Sequence, residues 1–219
     1  MATAAKSGFL ALAVSLLVAQ AVAAYEHPLD SHSIREAYFL GRRHDDKTAA
    51  FMGQYLKRPP LPKSGPHVAE IEIRTPYEQV ALRAAQAPGS YTAQQAEKDY
   101  AAQSNLILVR VRINLTPTYP AYVTNSRSKG PPQERPPDFW RDFKIRVLQG
   151  KTVTPNKSTG RPLYTTGLSG PYLAAGALEG AEVQLEFDTG QIASSPVRIE
   201  VLTPDGQTVE AEFDLRDLK

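Results

Sequence analysis

Branched apolar and polar residues alternate along residues 105–115, NLILVRVRINL. Ile107, Val109, Val111, Ile113 and Leu115 share one face; Arg110, Arg112 and Asn114 share the other. A period of two sends successive side chains to opposite sides of an extended chain, and branched side chains suit a pleated, half-buried surface. The pattern predicts a central strand. It recurs at 67–74 (HVAEIEIR), 143–149 (FKIRVLQ), 181–188 (AEVQLEFD), 196–202 (PVRIEVL) and 207–215 (QTVEAEFDL). Short strands are also predicted near Val153 and over 163–165. Between the last two long strands lies Thr203-Pro204-Asp205-Gly206. Proline presets φ, Asp hydrogen-bonds locally and Gly tolerates positive φ, so a hairpin is predicted there.

Steps of three and four replace steps of two near the beginning. Ile34, Ala37 and Tyr38, then Phe51, Met52, Tyr55 and Leu56, recur at helical spacing. Residues 41–46 (GRRHDD) interrupt this stripe and offer Asp45 or Asp46 as a fresh cap, which predicts two short helices. Ser33 with Glu36 resembles a capping box for the first. Pro59, Pro60 and Pro62 then end helix formation by fixing φ and removing donors. Thr75-Pro76-Tyr77-Glu78 and Thr92-Ala93-Gln94-Gln95 each place a capping Thr three residues before Glu or Gln. They predict helices over 76–86 and 93–103, an insertion covering one end or face of the sheet.

The elements add up to a mainly β chain with helical additions (α+β). The expected architecture is an antiparallel β-sandwich, immunoglobulin-like in one form, with N-terminal helices and a two-helix insertion at about 76–103. The sequence has no Cys, so no disulfide pair marks an immunoglobulin pattern. Residues 1–24 read as a cleavable signal peptide: Lys6, an apolar run from Phe9, then small residues up to Ala24. That run is shorter than the roughly 20 apolar residues that span a bilayer. Residues 25–62 form a helical segment with a Pro-rich linker. Residues 63–219 form the sandwich, with a Pro-rich loop at 116–138. The expected location is the periplasm or the extracellular space.

Charge divides along the chain. Among 219 residues with a formal net charge of +2, residues 105–163 hold eleven Lys/Arg against three Asp/Glu, and residues 164–219 hold three against ten. A bipolar surface could steer a charged partner. The favoured reading is plainer: Arg110, Arg112, Lys144 and Arg146 stand across from Glu182, Glu186, Glu210 and Glu212 on neighbouring strands, each pair contributing a few tenths to about 1 kcal/mol. Near-neutral overall charge argues against nucleic acid as a partner.

Motifs that carry chemistry are missing. Four His (His27, His32, His44, His67) fall in no HExxH and no Cys/His cluster, and there is no EF-hand loop, GxSxG elbow or phosphate loop. No metal and no cofactor is predicted; Asp45 and Asp46 beside His44 suit helix capping better than ligation. Asn114 and Asn156 head glycosylation-type triplets. The sequence favours a non-catalytic binding or structural module using loops on a sandwich, with a protein, glycan or envelope component as partner. The alternative is a hydrolase or metal-dependent enzyme with scattered residues. Candidate binding residues are Tyr119, Tyr122, Phe139 and Trp140, because proline-stiffened aromatics lose little entropy on contact. Trp140 is expected to be mostly buried, with Tyr119 and Tyr122 exposed.

Overall fold

The computed structural model describes residues 27–103, 105–123, 131–165 and 176–219. Two helices come first, α1 (Ser31–Arg42) and α2 (Asp46–Gln54), followed by β1 (Leu56–Lys57) and β2 (His67–Arg74). Helices α3 (Pro76–Gln86) and α4 (Ala93–Ala101) separate β2 from β3 (Leu106–Asn114). The short strands β4 (Tyr122–Val123) and β5 (Gln133–Glu134) precede a 3-10 turn, Phe139–Asp142. Then follow β6 (Lys144–Gln149), β7 (Lys151–Val153), β8 (Lys157–Tyr164), β9 (Leu178–Asp188), β10 (Pro196–Leu202) and β11 (Thr208–Asp214). The chain is thus mixed α and β, and every strand pairing described is antiparallel.

Sheet order is β1-β2-β3-β9-β8 in one sheet and β11-β10-β6-β7 in another, with β4-β5 as a separate ribbon. Alternation decides which face is apolar. Val109 and Val111 from β3, Val183 and Leu185 from β9, Val147 from β6, and Ile199 and Val201 from β10 join one buried cluster, with Phe213 of β11. Ile145 and Val209 lie partly buried at its margin. Full burial of each such side chain contributes roughly 1.5–3 kcal/mol. The apolar faces of the alternating strands therefore meet, in a cluster that draws on both sheets.

A second apolar cluster belongs to the helices: Leu29, Ile34 and Ala37 pack with Tyr77, Val80, Ala81 and Ala96. Here small residues set the spacing. A Cβ on Gly41 of α1 would run into the Ala81 carbonyl oxygen of α3 and lie 3.1 Å from Ala84 Cβ. Phe51 packs against both clusters, with its ring 5.0 Å from Tyr55 and 5.7 Å from Tyr77.

Three predicted caps form. Asp45, Thr75 and Thr92 accept from the amides of Thr48 (3.0 Å), Glu78 (3.3 Å) and Gln95 (3.2 Å). The cap of α1 is a correction: Asp30, not Ser33, closes the helix start, with Asp30 Oδ1 accepting from the Ser33 amide at 2.7 Å. A carboxylate both satisfies the orphan amide and complements the positive end of the helix. A second correction concerns β8, which runs the whole length of Lys157–Tyr164 rather than only near its end. The predicted signal peptide lies outside the described residues. Among those described, no helix is long and apolar enough to cross a membrane.

Each sheet carries both signs of charge; the predicted pairing holds at Glu182, which stands opposite Arg112, while in the other sheet the partners differ. Arg110 contacts Glu182 of β9 and also Glu72 of β2 at 3.2 Å. Arg146 reaches Glu200 of β10 at 2.7 Å, whereas Lys144 lies opposite the apolar Leu202. Glu212 faces Arg198, and Glu210 lies 3.8 Å from the same Arg198. The basic and acidic strands thus neutralise each other within sheets, by a register that hydropathy does not encode.

Candidate functional site

The candidate residues gather where the 116–138 connection meets the sheets. Thr116 and Tyr119 exchange backbone hydrogen bonds at 3.2 and 3.0 Å, closing a tight turn around Pro117. That turn is tied to the β1–β2 connection: Thr116 Oγ1 donates to the Gly65 carbonyl at 2.6 Å, and the Gly65 amide donates to Thr118 Oγ1 at 2.9 Å. The ribbon follows, with Tyr122 opposite Glu134 and Val123 opposite Gln133.

An aromatic group anchors the ribbon's root. The rings of Tyr119, Phe139 and Phe143 stand 6.2–6.4 Å apart, tilted or edge-on as their quadrupoles prefer. Arg135 lies over the Tyr119 ring, with Cζ 3.6 Å from its centroid. It also donates from Nε to the Pro120 carbonyl at 3.0 Å, and its amide donates to Ala121 O at 2.6 Å. Burial raises the Tyr119 phenol, and the Arg135 charge opposes part of that rise.

The four candidates therefore separate. Phe139 is buried in the sheet cluster and acts as packing. Tyr119 is half-buried beneath Arg135 rather than exposed, because the cation covers its open face. Trp140 is largely covered, as expected, and packs against the sheet cluster. Its indole lies flat on Gly160 of β8, where any Cβ would collide with the ring, and Arg141 Cζ lies 5.5 Å from its centroid. Only Tyr122 stands out as predicted, 55% exposed beside Val123 at 39%. Arg135 was not among the sequence candidates; its signal is a cation thirteen residues beyond the nearest tyrosine, which no local pattern marks.

A second unusual group is acidic. Glu78, in the first turn of α3, is 1% exposed, and its Oε2 finds no hydrogen-bond partner among the described residues. Burial, and then the neighbouring Glu72, push its carboxyl well above the ordinary range. Glu72 is itself pushed up to about 7, by burial first, despite Arg74 at 2.9 Å and Arg110 at 3.2 Å. Arg110 is shared between two carboxylates, and its closer contact is with Glu182. For Glu182 burial is outweighed by hydrogen bonds from Arg110 and Arg161, so its carboxyl is held below the usual range.

The hollows bordered by described residues lie away from these acids. Between α3 and α4 lies a small, partly open hollow of about 10 Å³ bordered by Gln79, Arg83, Tyr91 and Asp99, room for one water at most. Open grooves run along α1 beside Phe39, between Leu29 and Glu97, and beside β11 near Asp214 and Asp217. Neither Glu72 nor Glu78 lines any of these hollows. Among the described residues, no three His, Asp or Glu side chains stand close enough to hold a metal ion. Comparison with known protein families, curated proteins and solved structures finds no match.

Proposed function

We propose that the chain is a non-catalytic binding module, exported through its N-terminal apolar segment. It engages a protein, glycan or envelope component with the ribbon that carries Tyr122 and Val123. The observation that carries the reading is the contrast within one connection. Its root is locked by Tyr119, Phe139, Phe143 and Arg135, while its outer end offers Tyr122 at 55% and Val123 at 39% exposure. An exposed aromatic on an ordered root loses little conformational entropy on contact.

The reading includes a β-sandwich scaffold of immunoglobulin type. Its support is strand order. With β1 set aside, the sheets read β2-β3-β9-β8 and β11-β10-β6-β7. In immunoglobulin lettering that is A-B-E-D and G-F-C, with an extra strand C′ beside C. The α3–α4 insertion then lies between A and B. Against the pattern, no Cys pair joins B to F, and Trp140 precedes strand C instead of filling the core.

The test is site-specific photo-cross-linking in the expressing cell, with the reactive group at Tyr122, Val123 or the exposed Asn156. Adducts confined to the first two positions support the reading. Adducts of equal yield at Asn156, or none at Tyr122 and Val123, overturn it. For export, N-terminal sequencing of the mature protein should begin at Ala24 or Tyr25; a chain beginning at Met1 removes that part.

A further inference from the structure

Between Lys57 and His67 the chain runs Arg58-Pro59-Pro60-Leu61-Pro62-Lys63. Three of these residues are prolines, with φ fixed near −65°. Arg58, Pro59 and Leu61 each precede a proline, which pushes them into the extended or polyproline region. Neither helix nor strand occurs over 58–62, and a sequence of this kind favours the left-handed, three-residue-per-turn conformation.

Exposure follows the same period of three. Pro59 and Pro62 are half-buried, whereas Arg58, Pro60, Leu61, Lys63 and Ser64 are exposed. One edge of a three-residue turn therefore rests on the protein, and the other two edges face outward. Leu61 is 71% exposed, the highest of the exposed large apolar side chains among the described residues. Burying it in isolation would have been favourable; instead the flanking prolines hold it out. Arg58 and Lys63 place a cation on either side, and Arg58 lies 3.2 Å from Glu70 with its side chain still 69% exposed.

The segment is also pinned at both ends. Leu56 and Lys57 pair with Glu72 and Ile71 of β2. Gln207 Nε2 donates to the Ser64 carbonyl at 2.9 Å, and Gly65 is held by Thr116 and Thr118. We propose that residues 58–63 are a preformed polyproline ligand, inserting Pro60 and Leu61 into the aromatic-lined groove of a partner domain with an acidic rim. Aromatic grooves take proline-rich segments of this conformation; with Pro59 and Pro62 resting on the protein, the contact falls to Pro60 and Leu61, and the acidic rim answers Arg58 and Lys63. Order imposed beforehand removes the entropic cost that a flexible Pro-rich peptide meets on docking. This surface uses none of the residues assigned to the ribbon, so either can fail alone.

The experiment measures binding of the intact chain, by biolayer interferometry, to a panel of isolated polyproline-reading domains of the SH3, WW and EVH1 kinds. Variants Leu61→Ser and Phe39→Ser are run beside it; both positions are exposed, and unchanged melting checks the fold. At least one domain should bind, with affinity falling tenfold or more in Leu61→Ser and holding in Phe39→Ser. Failure of every domain to bind overturns the proposal. So does binding that survives Leu61→Ser, or that Phe39→Ser weakens equally.

Discussion

The two apolar clusters hold together by different means. The sheet cluster is built from large branched and aromatic side chains on regular alternation, Ile107, Val109, Val111, Phe187 and Ile199 among them. The helical cluster is thin, and its close approach rests on Gly41, Ala37, Ala81 and Ala84. Polar side chains then fasten helix to loop. Tyr38 donates to Tyr91 O at 2.8 Å, Arg42 donates to Ala87 O at 2.9 Å, and the Leu29 amide donates to Tyr100 Oη at 2.8 Å. Burial scales with area and is indifferent to direction, whereas close approach and hydrogen bonds tolerate little displacement. One region should fail by losing its core, the other by losing its geometry.

The largest effect is expected at Val111→Asp, which places an unpaired charge at a fully buried position of β3. The variant should not fold, and an unchanged thermal melt would show that the sheet cluster does not depend on this face. Gly41→Val comes next, at about 1–3 kcal/mol, because α1 must move off α3. Hydrogen exchange should quicken in α1 and α3 and stay slow in β3 and β9. Equal acceleration in both would erase the distinction between regions, through Phe51 or through Tyr55, which donates to the Lys219 carbonyl at 3.0 Å.

The junction between the regions should respond to pH. Glu72, raised to about 7, binds a proton more readily folded than unfolded. Its contribution is complete below the ordinary carboxylate value near 4.5 and is lost as pH rises through about 7. Glu78 is raised in the same sense, while Glu182 runs the other way and loses its contribution as pH falls. Glu78→Gln should therefore raise the melting temperature at pH 8 by a few degrees, on the order of 1–2 kcal/mol, and by less at pH 5. A lower melting temperature at pH 8 would mean that ionised Glu78 is stabilised by a contact other than those described. The smallest effect belongs to the outer sheet faces. Arg146→Glu should cost about 1 kcal/mol or less, with Glu200→Arg restoring it. Failure of that rescue in a double-mutant melt would remove the pair as a term in sheet stability.

Much of the sheet was legible because its strands are written in period two. β2, β3, β10 and the turn between β10 and β11 stand where alternation and Pro-Asp-Gly put them. The caps at Asp45, Thr75 and Thr92 were legible for the same local reason. β8 was not, since Gly160, Pro162 and charged residues dilute its alternation, and its order comes from pairing with the long β9. The candidate site was legible only as composition. That Tyr119 lies under Arg135, and Trp140 on Gly160, depends on contacts across 16 and 20 residues that no periodicity carries. The elevated acids were invisible for a similar reason: Glu72 sits in a clean alternating strand, and what raises it is burial.

β8 also bears on how the protein behaves in a crowd. It is the last strand of its sheet, and its outer rim is the kind of surface onto which another chain's strand could add and start a fibre. Pro162 has no amide hydrogen to give such a newcomer, Lys157 and Arg161 meet it with charge, and the Trp140 indole occupies the space over Gly160. A rim blunted in this way invites strand addition less than a plain valine-rich one would.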